Sequence, residues 1–214
     1  MDRLPRGRHG LSPEFVARNQ RDRLIAGLIL TLAEVGYQKT TVSMIGRRAA
    51  VSKSDFYKHF DSKDECFFAA YDFAVGRIRG AAVDACAASR SAAWAPRVQA
   101  AVVALLTLLA DEPALAAIVL AEGLRAGRGI YDRYQAAVES FVPLLRGGAP
   151  DGPGGHPVPP ATDEAVVGGV ASLLSRRAIA GETADLAGLL PDVLEFVLTP
   201  HLGTEAARRI ISAG

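Results

Sequence analysis

The chain is 214 residues long and half of them are apolar, enough to bury a substantial core, so disorder over most of its length is excluded. The net charge is only +1, yet residues 1–63 carry 12 basic and 6 acidic side chains while 64–214 carry 12 and 17. That segregation marks an anion-seeking N-terminal part. Cys66 and Cys86 have neither the density of a disulfide framework nor a Cys or His at metal-ligand spacing, which points to a reduced, cytoplasmic protein with no metal site. The N-terminal arginines precede no apolar segment. The longest nearly apolar run, 100–110, is shorter than the ~18 residues of a membrane span, so neither secretion nor a membrane partner is expected.

Helical periodicity dominates, and the expected fold is all-α. Residues 1–15, with Arg3, Arg6, Arg8, Pro5, Pro13, Gly7 and Gly10, read as a mobile basic arm, solvated or reaching into a DNA groove. Ile25, Leu28, Ile29 and Leu32 form one stripe of a first helix, about 16–35, with Gly36 at its left-handed cap. Thr41 caps a second helix, 42–49, and Ser52 a third, about 53–59. In the third, Phe56 and Phe60 point inward together, leaving Ser54, Asp55 and Lys58 on the opposite face, flanked by Lys53, Tyr57 and His59. Ser62-Lys63-Asp64-Glu65 is a capping box that opens a long helix to about 88. Further helices are expected over 94–110, 113–126, 129–146, 161–180, 186–199 and 204–212. Residues 147–160, with five prolines, read as a flexible surface loop, and Pro191 either starts or kinks its helix. His156 and His201 read as surface residues.

Two short helices joined by Ala50-Val51-Ser52, the second with a polar outer face, fit a helix-turn-helix over 16–62 whose second helix enters the major groove of DNA. Such a pattern also occurs in proteins that never touch DNA. Here Gly36-Tyr37, Thr40-Thr41-Val42, Val51-Ser52-Lys53, Phe56-Tyr57, His59-Phe60 and Ser62-Lys63 follow one another, and about 20–71 resembles the DNA-binding domain of the TetR family of transcriptional regulators. The resemblance implies a homodimer that binds double-stranded operator DNA, each subunit joining a DNA-binding domain to a helical ligand-sensing and dimerisation domain, 63–214. It assigns Thr41, Tyr57, His59 and Lys63 to phosphates and Lys53, Ser54 and Asp55 to the groove; Lys58 adds a phosphate or base contact. Lys53 suits guanine acceptors, while Asp55 either accepts from a cytosine amino group or repels phosphate. The sequence departs from the family pattern at Ala50, where glycine is common, and at Gly46, where alanine is common.

The C-terminal helices offer apolar and aromatic surface around a cavity, with Trp94, Leu105, Ile118, Tyr134 and Phe141 as candidate effector contacts and Glu122 or Arg125 orienting a small, mainly hydrophobic effector by hydrogen bonding. Val166, Gly169, Val170, Leu173 and Arg177 on one helix and Leu190, Leu194 and Val197 on the next are the candidate dimer face; Gly168-Gly169 suggests close helix approach. The cysteines read as buried small hydrophobes. No phosphate loop, HExxH helix or nucleophile elbow is present, so neither an enzyme nor a cofactor is expected. The favoured reading is a ligand-responsive regulator, a repressor by family default, in which the helix over 63–88 couples the domains. The competing reading is a helical small-molecule carrier or interaction bundle without specific DNA binding.

Overall fold

A computed structural model describes residues 12–89, 93–123 and 128–213, and these are helical, with no strand among them. Helix α1 (Pro13–Lys39) opens earlier than the apolar periodicity suggests. Ser12 accepts from the Phe15 amide at 3.2 Å, and Pro13 stands in the first turn, where a missing N–H costs nothing. Residues 13–15 therefore belong to the helix; Arg3, Arg6 and Arg8 lie outside the described residues. Gly36 breaks α1, but with φ 75° and ψ 165°, a region open almost to glycine alone, and not as a left-handed helical cap. Helices α2 (Val42–Ala49) and α4 (Lys63–Ala88) keep their expected bounds under the caps Thr41 and Ser62. Helix α3 (Lys53–Phe56) is shorter than expected. The chain goes on turning to Phe60 through tighter bonds, such as His59 N–H to Phe56 O at 2.9 Å.

Beyond α4 come α5 (Trp94–Asp111) and α6 (Pro113–Ala116), then a π-helical turn (Ala117–Glu122) where a continuous α-helix over 113–126 was expected. A 3₁₀ turn (Arg128–Ile130) leads into α7 (Tyr131–Arg146), and α8 (Pro160–Ile179) follows the proline-rich connection. That connection contains a 3₁₀ turn (Pro153–Gly155) and is closed by Gly152 N–H donating to His156 O at 2.7 Å. Another 3₁₀ turn (Thr183–Leu189) precedes α9 (Leu190–Leu202), in whose first turn Pro191 sits, so this proline starts the helix. Helix α10 (Thr204–Ala213) closes the described chain.

Two apolar clusters hold these elements. The first runs without interruption from Leu28, Ile45, Phe56 and Phe60 through Phe67 and Tyr71 of α4 to Leu106 and Ile118, so the N-terminal helices share a core with the larger domain. The second joins Trp94 and Val98 of α5 to Leu145, Val166, Leu194 and Leu198. Its polar centre was not legible in the sequence: His201, 5% exposed, lies 2.9 Å from an Asp163 oxygen and 4.8 Å from the Trp94 ring, tying α5, α8 and α9 together. His201 is thus a core residue, while His156 is exposed. By length and composition alone α5 could cross a bilayer; here it packs against α4 and α9.

Candidate DNA interface and ligand cavity

The helix-turn-helix is built around two inward phenylalanines. Phe56 and Phe60 are fully buried with ring centroids 5.7 Å apart, and they fix which face of α3 turns outward. Ala50 closes α2 in the left-handed conformation (φ 50°, ψ 45°), and Val51 N–H donates to Gly46 O at 2.9 Å. Gly46 is needed for this turn: a Cβ there would meet the Val51 carbonyl oxygen at 2.7 Å. Ala50 and Gly46 therefore meet in one turn. Arg23 of α1, which sequence reasoning missed, donates from Nε to Ala49 O and from Nη2 to Ala50 O, both at 2.8 Å, closing off the carbonyls at the end of α2.

On the outward face Lys53, Ser54, Tyr57 and Lys58 are exposed, with Asp55 and His59 half-buried beside them and Thr41 exposed at the start of α2. Asp55 is committed within the protein. One oxygen accepts from Lys58 Nζ and the other from Ser52 Oγ, both at 2.7 Å, and these partners hold its carboxyl below the usual carboxylate range. Lys58 is correspondingly engaged. Burial, with Arg21 nearby, holds the His59 imidazole below its ordinary value, so the ring is neutral at pH 7; its Nε2 lies 3.1 Å from Gln20 Oε1. Lys63 Nζ donates to Tyr37 O (3.0 Å) and Thr40 O (3.2 Å) and sits 4.0 Å from the centre of the Tyr37 ring, leaving one N–H for another acceptor.

Tyr37 links α1 to α4 and to the π-helical turn. Its hydroxyl donates to Asp64 at the start of α4, and its backbone N–H donates to Glu122 Oε2 at 2.8 Å from the end of the π-helical turn. Glu122 and Tyr37 are only 7% and 8% exposed. Glu122 is therefore placed as a clamp on the broken end of α1, and it is not among the residues that line the cavity. Arg125 lies outside the described residues.

The cavity, about 140 Å³, opens between α4, α5, α7, α8 and α9. Of the candidate effector contacts, Leu105, Tyr134 and Phe141 line it; Trp94 and Ile118 do not, being packed in the two cores, where Trp94 Nε1–H donates to Leu145 O at 2.6 Å. Its described lining is aliphatic or aromatic throughout, Tyr71 and Tyr134 alone bearing polar groups. Val119 and Leu120 of the π-helical turn form part of the wall.

The candidate dimer residues divide. Val166, Leu194 and Val197 are 5%, 2% and 3% exposed and belong to the subunit's own core, so they cannot form an outer face; Val170 and Leu190 are partly buried against that core. Gly169 admits the Phe196 ring of the same chain, which would lie 2.9 Å from a Cβ there, so its close helix approach is internal. Leu173 is half-buried, Arg177 is exposed and paired with Glu182, and outward apolar surface is supplied by Ile179 and Phe196, 47% and 50% exposed. Cys66 is buried as expected, and burial pushes its thiol up to about 12. No group of three or more metal-ligating side chains occurs among the described residues.

Residues 25–70 match the family model for bacterial regulatory proteins, tetR family. The fold is similar to that of the fatty acid degradation regulator FadR from Bacillus halodurans, with a TM-score of 0.71, 17% identity and coverage of 89% of this chain and 97% of that one. The transcriptional regulator FadR from Bacillus subtilis, solved in complex with stearoyl-CoA, gives a TM-score of 0.69 at 16% identity, covering 84% and 98%. A transcriptional regulator from Rhodococcus sp. Rha1 gives 0.62 at 21%, covering 84% and 96%. Among curated proteins none matches the chain.

Proposed function

We infer that this chain is a regulator of the tetR type, a repressor that a small, mainly hydrophobic effector releases from operator DNA; the match of residues 25–70 to the tetR family model and the similarity of its fold to FadR support the reading. The observation that carries the reading is the outward face of α3. Lys53 and Ser54 project from a one-turn helix, and Tyr57 and Lys58 from the turn that continues it; buried Phe56 leaves this segment no other face to present, within a stretch rich in basic side chains. In this reading the helix enters the major groove, where Lys53 meets guanine acceptors, and Thr41, Tyr57, His59 and Lys63 meet phosphates. Asp55 holds Lys58 until a phosphate competes for it, and its fixed negative charge disfavours any register that brings phosphate alongside.

The apolar lining supports a hydrophobic effector, and the acyl-CoA held by FadR of B. subtilis is a ligand with a long apolar part. Two subunits related by a two-fold axis, packed through the outward side of α8 and α9 with Leu173, Arg177, Ile179 and Phe196, would set two α3 helices against successive major grooves about 34–36 Å apart. An effector that widens the cavity moves α4, which carries Asp64 and Lys63, and the π-helical turn, which carries Glu122. Both hold Tyr37, so the spacing of the α3 helices changes with cavity occupancy.

The test is fluorescence anisotropy of the full chain on DNA from upstream of its own coding sequence against a scrambled duplex, followed by selection from random duplexes. Selective binding on either is expected. Its absence on both would leave the helical carrier or interaction bundle as the better reading.

A further inference from the structure

One buried polar group in the cavity wall has no use in the subunit alone. Tyr71 is 1% exposed and lines the cavity from α4, and its hydroxyl has no hydrogen-bond partner. A buried hydroxyl is ordinarily paired, so one left covered and unpaired in a cavity wall is able to take a partner from a ligand that displaces its ring. The wall around it is apolar, from Val75 and Ile78 on α4 to Val119 on the π-helical turn and Phe141 on α7; Tyr134 is the other polar lining residue described. No Lys, Arg or His stands among the described lining residues, so a carboxylate or phosphate seated there would be desolvated without a counter-charge.

We propose that the part of the effector seated in this cavity is uncharged, an apolar ring or chain bearing one hydroxyl or carbonyl oxygen, and that Tyr71 Oη is the hydrogen-bonding group that holds that oxygen. The inference rests on the reading of the cavity as the effector site and deepens it. Burial, with Tyr134 and Asp72 nearby, pushes the Tyr71 phenol up to about 12, so it stays a neutral O–H able to donate to a carbonyl or to pair with a hydroxyl. Tyr71 is also well placed to report occupancy: its ring edge would lie 2.9 Å from a Cβ on Gly123, the residue after Glu122, so displacing the ring presses on the clamp that holds Tyr37.

Tyr71→Phe removes only an unpartnered oxygen, so the fold and its thermal midpoint are kept. Isothermal titration calorimetry would compare wild type and Tyr71→Phe with three probes of one skeleton: 2-acetylnaphthalene, 2-ethylnaphthalene and 2-naphthoate. The ketone is expected to lose about tenfold in affinity on the substitution, the worth of one hydrogen bond. The hydrocarbon should bind both proteins alike, and the carboxylate should bind both more weakly than the ketone. A ketone affinity unmoved by Tyr71→Phe, or a carboxylate that binds as tightly as the ketone, would overturn the assignment while leaving the cavity a ligand site. If none of the three binds wild type, the effector-site reading itself fails and this inference with it.

Discussion

Replacing Glu122 by alanine removes the acceptor of the Tyr37 backbone N–H at a place where both residues are more than nine-tenths buried. An amide left unpaired there costs about 1–3 kcal/mol. For a chain of this length that lowers the thermal midpoint by about 2–4 °C for each kcal/mol. Glu122→Gln keeps an acceptor oxygen and is expected to recover at least half of the loss. Urea denaturation gives the stability; anisotropy on an operator duplex, with and without a cavity ligand, gives the coupling. The clamp predicts that Glu122→Ala still binds DNA but responds less to ligand, because only the α4 contacts with Tyr37 remain. A stability change within about 0.5 kcal/mol, the range of an ordinary surface substitution, together with an undiminished ligand response, would refute it.

In the turn between α2 and α3, Ala50→Gly relieves left-handed strain of about 1–2 kcal/mol, less the added freedom of the unfolded chain, so a small rise in urea midpoint is expected. Gly46→Ala should lower it, because its Cβ would meet backbone; the opposite signs check the turn geometry. The Cys66 thiol and Tyr71 phenol are both pushed up to about 12 by burial, so they are neutral in the folded chain but ionise in the unfolded one. Their contribution to stability is complete below about pH 9 and is lost as the pH rises from about 9 to 12, which melting curves across that window would register. At pH 8 a thiol reagent should modify half-buried Cys86 readily and Cys66 only after unfolding. Phe196→Asp should convert a dimer into monomers in sedimentation velocity, whereas a wild-type monomer at micromolar concentration would contradict the proposed face.

The N-terminal half was legible because its signals are local. Thr41, Ser52 and Ser62 cap the helices they were read to cap, and the four-residue spacing of Phe56 and Phe60 set the outward face of α3. The effector and dimer sets were less so, because an apolar residue on a stripe does not say which neighbour the stripe will meet. Val166 and Val197 turn to the cavity and Leu194 to the core, and Gly169 receives a ring from its own chain. Glu122 was read as a charge that orients an effector, but it lies outside the cavity lining and its partner is a backbone amide 85 positions earlier, a pairing that no local pattern carries. The same holds for Arg23 on the carbonyls of Ala49 and Ala50, and for His201 with Asp163.

The central claim is that the outward face of α3 binds DNA, and it is tested most directly by the salt dependence of anisotropy titrations with wild type and Lys53→Ala. The account predicts tight binding to one selected duplex, falling steeply as salt rises, and a loss of about 1–3 kcal/mol in Lys53→Ala concentrated on that duplex. Equal affinities for wild type and variant, or equal affinities for selected and scrambled DNA, would contradict it.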